Sequence, residues 1–449
     1  MDQLAYEDLT DFKGKMYRAA IDCWMADQSF TPPSGAEHTY AKWGWAPFQY
    51  HRPDENGQGG GKSVGYGDGV NCEDAMNGIR AAVDRVVDPW LSLPTGTGLA
   101  PYRSSANEAS GILGNSRENS PDLESSRAQV ASVASGNLKG AFVAPFVDKY
   151  CSQLLKVVHG IGDGCVILAA SYAAEEALWP AARDDVANLC FQAEKAWAAA
   201  ANSTALENQK ATLRVVGAVA SGVAAVVTAG ASLAATGVTA VAAAAATASG
   251  VLGSVGGAAT VALAAIDYSV AVNGNSFDSI LDSLSKALKD LSDTITEQDK
   301  KLNLMLAQMD DEIHSNRANY DLDYFVLADY PLTDGTMAMD PTSTRLIKDY
   351  MTRVHDSMAE AGSELGVAPS SNPSVRPSSI GVSVDGTFST ASMLFGRLSG
   401  CLTRSTEEYA RGAALFDATV ADYYQTDDDA TATVKQLRDA ELGVSEVTW

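Results

Sequence analysis

The sequence predicts a mainly α protein: an elongated bundle of long helical hairpins, with a long irregular loop near the N-terminus and an Ala/Gly-rich hydrophobic hairpin in the middle. Three observations predict it. Apolar residues recur at steps of three and four over most of the chain. Leu281, Leu284, Leu288, Leu291, Ile295, Leu302, Met305 and Met309 form a heptad stripe backed by Asp, Glu and Lys. Between Arg214 and Asp267, 52 consecutive residues carry no charge, 20 of them Ala, in a chain of formal charge -24.

Residues 2–27 read as an amphipathic helix, with Leu4, Leu9, Phe12, Met16, Ala20 and Cys23 on one stripe and Trp24 beside it. From Gln28 to Val70 the pattern gives way to Pro, Gly, Tyr and Trp, as in Lys42-Trp43-Gly44-Trp45-Ala46-Pro47. That stretch is expected to be a long loop with room for a short β-hairpin. Asn71 is a good N-cap for the next helix, with Asp74 placed to reach back. This helix carries Ile79, Val83 and Val86, ends before Pro89, and is followed by a break from Leu93 to Pro101.

Helix is expected again from Pro121, interrupted at Gly136–Gly140. Phe142, Phe146, Tyr150, Leu154 and Val157 then repeat at helical spacing, and Gly160–Gly164 reads as a kink or break. Leu168 to Trp197 resume the helix, with a kink expected at Pro180. After the charge-free run, Asn273-Gly274-Asn275 signals the turn into the heptad stretch. Residues 320–345 read as irregular, Arg345–Ser363 as a short helix, and Pro369–Ser379 as a Pro/Ser linker. A final helical module starts near Ser389 and fades into an acidic tail after Tyr424. The expected segments are 1–120, 121–213, 214–272, 273–319, 320–388 and 389–449.

A balance of 32 basic to 56 acidic residues repels phosphate backbones, which argues against nucleic-acid partners. Six scattered cysteines without a Cys-x-x-Cys pair read as buried thiols; on export a Cys23–Cys72 bridge becomes an option that spacing does not decide. The N-terminus has no basic region followed by an apolar one, so no Sec signal peptide is expected.

Catalytic and metal-binding motifs do not assemble. Gly57-Gln-Gly-Gly-Gly61-Lys62-Ser63 invites a phosphate-loop reading, but the first glycine should stand at 56, which is Asn56, and no buried strand precedes it. His38, His51, His159, His314 and His355 form no ligand pair. Glu175-Glu176 and Asp184-Asp185 are adjacent pairs on a helix, pointing about 100° apart, and read as solvated charges. Asp427-Asp428-Asp429 lacks the loop of a calcium site. No enzymatic activity, metal or other cofactor is expected.

Two motifs together carry a resemblance. The first is a helix, a tight turn holding Leu138-x-Gly140, and a second helix opening with Phe142, Phe146 and Tyr150. The second is Tyr-x-x-x-Asp, present twice near the C-terminus as Tyr423/Asp427 and Tyr424/Asp428. Together they resemble the Trp-x-Gly and Leu-x-Gly helical-hairpin proteins exported by type VII (ESX) secretion, in an actinobacterial style, with Leu138 standing where that family's Trp would be. The resemblance implies that Leu138 and Gly140 form the hairpin turn and that Tyr423, Tyr424, Asp427 and Asp428 form the export address. It also implies a secreted or envelope-associated helical protein, acting by protein–protein contact with the secretion machinery, a helical partner or chaperone, or a second copy. The apolar stripes Leu281–Met309 and Phe142–Val157 would suit such a partner.

The alternative is a membrane-inserting or pore-forming protein using residues 215–266. Length allows two spans, but Ala, Gly, Ser and Thr are weak drivers of insertion. Small residues at i, i+4, as in Gly217/Ser221/Ala225 and Gly250/Ser254/Ala258, favour close helix contact instead. A close-packed helical hairpin is expected there, with membrane contact conditional on its release.

Overall fold

The computed structural model describes residues 4–33, 38–42, 48–64, 72–114, 121–202, 211–212, 269–326 and 337–443. The expected hairpin at 215–266 and the cap at Asn71 lie outside the described residues. The protein is mainly α-helical. A two-stranded hairpin, β1 (Thr39–Lys42) and β2 (Phe48–His51), stands within the stretch expected as a loop. The helices are α1 (Leu9–Asp27), α2 (Glu73–Val87), α3 (Ala100–Ile112), α4 (Pro121–Asn137), α5 (Val143–Val147), α6 (Leu154–Ala201), α7 (Phe277–Ser315), α8 (Pro341–Leu365) and α9 (Phe388–Gly443).

A π-helical turn, Asp148–Gln153, joins α5 to α6, so that Val143–Ala201 runs as one helix of 59 residues. It is apolar enough to cross a bilayer, yet 83% of its most apolar window is buried in the protein. It is the core helix: α1, α3, α7 and α9 all pack on it. Gly160–Gly164 does not break it. A Cβ at Gly160 would meet the Asn319 carbonyl oxygen at 2.8 Å, and one at Gly164 would meet Leu398 and Met309. Glycine there admits neighbours. The helix also continues through Pro180.

α1 starts at Leu9, after a 3-10 turn at Tyr6–Asp8, rather than at residue 2. The Tyr6 hydroxyl donates to the Trp90 carbonyl at 2.6 Å and accepts from the Leu93 amide at 2.9 Å, so the bond network favours the short turn over another turn of helix. Asp22, buried on α1, accepts from the Tyr40 hydroxyl at 2.6 Å and from Arg52 Nε at 2.9 Å. These bonds hold the β-hairpin on α1. Arg80 donates to the carbonyls of Gly57 and Gly59, so this glycine loop turns carbonyl oxygens to a cation, the opposite polarity to a phosphate cradle.

α2 starts at Glu73, where Cys72 precedes it with no side-chain cap, and Asp74 is exposed. α3 was not expected from the sequence: its buried face is Ala106, Ala109, Ser110 and Gly111, too small to register as an apolar stripe. Ser276 and Ser279 form a capping box at the start of α7. Of the heptad stripe, Leu284 to Met309 are buried and Leu281 is half-buried. That stripe, like Phe146, Leu154 and Val157, is used inside the fold, so it offers no free surface to a partner.

The stretch expected as a Pro/Ser linker is wound tightly onto the bundle. Arg376 is fully buried, with its guanidinium 3.0 Å from Asp299 on α7 and 4.0 Å from Glu175 on α6. It lies over the Trp179 ring at 4.8 Å and donates from Nε to the Ser383 carbonyl at 3.0 Å. Glu175 also accepts from Trp179 Nε1 and the Thr387 hydroxyl, each at 2.8 Å. Glu175 and Asp185 are therefore buried, not solvated, while Glu176 pairs with Arg103 at the surface.

Burial pushes the Asp299 carboxyl up to about 6 from its ordinary 3.8, against the pull of Arg376. Its folded-state pKa lies above the unfolded one, so the folded state binds the proton more tightly. This stabilisation is present at low pH and is lost as pH rises through about 6. Thermal melts of the protein and of Asp299→Asn should diverge across that window, pH about 4 to 6, and run parallel above it. Parallel melts throughout would mean that Asp299 titrates as an ordinary surface carboxylate.

Candidate functional site

α9 runs as one helix far past Tyr424, where the sequence led us to expect fading. Its first half buries Leu394, Leu398, Cys401, Leu402, Ser405 and Tyr409 on one face. From Gln425 to Gln436 every residue is exposed, and no described residue covers this stretch of α9. Helix persists there because Ala, Gln and Lys are good formers, although Thr and Asp are not; such a turn leaves its side chains to solvent.

Tyr423 and Tyr424 sit at the boundary between these halves. Both are half-buried, with ring centroids 5.3 Å apart in an edge-to-face arrangement. The Tyr424 hydroxyl donates to the Met339 carbonyl at 3.3 Å. Asp427 and Asp428, one turn further on, are exposed. Each Tyr-x-x-x-Asp pair therefore has an anchored aromatic ring and a solvated carboxylate.

The turn at Leu138 and Gly140 lies at the same end. α4 ends at Asn137, Leu138 is buried, and Gly140 has φ of 133°, a backbone region that a side chain disfavours. The Lys139 amide donates to the Ala338 carbonyl at 3.0 Å, and the Ala338 amide donates back to Lys139 at 3.2 Å. Residues 338–339 therefore bond the turn on one side and Tyr424 on the other. Phe146 of α5 stacks on Phe416 of α9 at 5.3 Å and closes the arrangement from below. α4 itself packs along α8 more than along the core helix, a departure from a simple two-helix hairpin.

The sequence offered no sign of the 337–340 segment as the joint. Its one local signal is Asp340-Pro341: Asp340 caps α8 by accepting from the Ser343 hydroxyl at 2.7 Å and the Ser343 amide at 2.9 Å, and these bonds, the hydroxyl's foremost, lower its pKa. Asn137 at the end of α4 donates to the Ser343 hydroxyl at 2.9 Å, tying the same two elements together again.

Among the described residues no group of three or more His, Cys, Asp or Glu is placed to hold a metal ion. None of the six cysteines is in a disulfide, so the Cys23–Cys72 bridge is not formed. Burial pushes the Cys23, Cys151, Cys165 and Cys190 thiols up to about 12, which suppresses the thiolate needed for nucleophilic chemistry. At the other end of the core helix, Ala211–Thr212 pairs antiparallel with Ser269–Val270, so residues that flank the charge-free run on either side are paired.

Comparison with family models, with curated proteins and with solved structures found no match.

Proposed function

We propose that this chain is a non-enzymatic helical protein exported by a type VII (ESX) route, acting through protein–protein contacts at or outside the cell envelope. The observation that carries the reading is the composite end of the molecule. The Leu138/Gly140 turn and Tyr424 are joined through residues 338–339, beside an acidic helical turn that is open to a receptor. An export address should be readable on the folded protein, and Asp427 and Asp428 are exposed there. Their charge favours a basic receptor groove.

Replacing both aspartates (Asp427→Ala with Asp428→Ala) should abolish export from a host with an ESX system while leaving the thermal midpoint unchanged, since both side chains are exposed. Truncation before Tyr423 should also abolish export. Undiminished export of the double variant would sink the address.

One observation favours a second reading, membrane insertion by residues 215–266. The pairing of Ala211–Thr212 with Ser269–Val270 joins the residues that flank the run, as an inserting hairpin requires. On that reading the protein releases dye from liposomes somewhere between acidic and neutral pH; retention of the dye throughout would remove it.

A further inference from the structure

Where α7 ends, a half-open groove of about 880 Å³ lies between the helix end and α9. Among the described residues three arginines line it, Arg317, Arg397 and Arg404, and no carboxylate does. In a chain with 56 acidic and 32 basic residues this is an inversion of the local charge.

The arginines are held in place from behind. Arg397 makes a two-pronged pair with Asp310, through Nε and through Nη2 at 3.1 Å. Arg404 Nε donates to Asp321 Oδ2 at 2.8 Å, and Arg317 reaches the same oxygen from Nε and Nη2 at 3.2 Å. Two guanidiniums thus share one carboxylate, itself 1% exposed, leaving one positive charge beyond what the pairing neutralises. The negative end of the α7 dipole offsets about half a charge of that.

These bonds use the Nε and Nη2 edges, with Arg404 Nη2 turned to Cys401 Sγ at 3.4 Å. Among the described residues none accepts from Nη1 of these arginines, which leaves that amino group for a ligand. Guanidinium amino groups fixed in this way lose little freedom on binding an oxyanion. The rest of the lining is polar at the α7 end, with His314, Ser315, Asn316 and Asn319, and apolar or open towards Tyr324, Met393 and Gly396. Met393 is 60% exposed, Tyr324 is 56% exposed beneath Arg317, and a Cβ on Gly396 would touch nothing within 4 Å. The volume suits a small organic molecule.

We propose that this groove binds a small organic anion, its phosphate or carboxylate oxygens held by the amino groups of Arg317, Arg397 and Arg404, and its apolar part laid over Met393 and Tyr324. The test is isothermal titration calorimetry of the full chain with phenyl phosphate and with phthalate, at an ionic strength matched with sodium chloride. Saturable one-to-one binding of either probe is expected, and the tighter one identifies a phosphoryl or a carboxylate ligand. Gly396→Trp should fill the groove and abolish binding with no change in thermal midpoint. Arg397→Gln should weaken binding about tenfold or more, since a charge-assisted hydrogen bond is lost. Should Gly396→Trp fail to fold, Arg397→Gln decides alone. Absence of saturable heat with both probes, or affinity undiminished in the arginine variant, overturns the proposal.

Discussion

Arg376→Ala should lower the unfolding midpoint by on the order of 5–10 °C, through a loss of about 3–5 kcal/mol, the usual cost of removing one partner from a buried ion pair. Asp299 and Arg376 are fully buried, and Glu175 is nearly so. Without the guanidinium, two carboxylates face each other in the core, and Asp299 is already raised to about 6 with the arginine present. The loop is built around the same group. Gly381 and Gly386 both have positive φ, and a Cβ at Gly386 would collide with the Arg376 guanidinium. Loss of Arg376 therefore also loosens this loop, which stays tied to α7 and α6 through Val382, Gly386 and Thr387. Arg376→Lys should recover part of the midpoint, because it keeps the charge but loses the planar stacking on Trp179. A midpoint for Arg376→Ala within a degree or two of the unsubstituted protein would mean that the pairing contributes little.

The helices were most legible where their apolar face is large and regular. α7 is the clearest case, since Leu284 to Met309 repeat without interruption and are buried as a stripe. The same rule hid α3, whose contact face is Ala, Ser and Gly. Gly160 and Gly164 misled for a related reason: a glycine that ends a helix and one that admits a neighbouring chain look alike until Tyr320 and Leu398 are in place. The stretch around Arg376 was illegible because Pro, Ser and Gly make up both free linkers and tightly wound loops. Only Glu175 and Asp299, far away in the chain, distinguish them. At the candidate site, Leu138, Gly140, Tyr423, Tyr424, Asp427 and Asp428 were each visible in the sequence. Their meeting depends on a bridge to Ala338 and a bond to Met339, which no local pattern encodes.

The second large effect concerns the charge-free run. Thr212 pairs directly with Ser269, so residues 213–268 can be excised and replaced by Asn-Gly, the two-residue turn that suits a tight antiparallel hairpin. Shortening the connection from 56 residues to two lowers the loop-closure cost by up to about 3 kcal/mol. The flanking elements already have partners: Trp197 near the end of α6 stacks on Phe277 at 6.1 Å, and the Phe277 amide donates to Asp27 of α1 at 2.9 Å. The helical body is expected to be self-sufficient and to carry the run as an insertion between the paired residues 211–212 and 269–270. The most direct test is a detergent-free thermal melt of the excised protein, with its mass read by light scattering. Cooperative unfolding of a monodisperse protein, at a midpoint equal to or above that of the full chain, is the predicted result. Aggregation, or a midpoint many degrees lower, would contradict it and make the run part of the core.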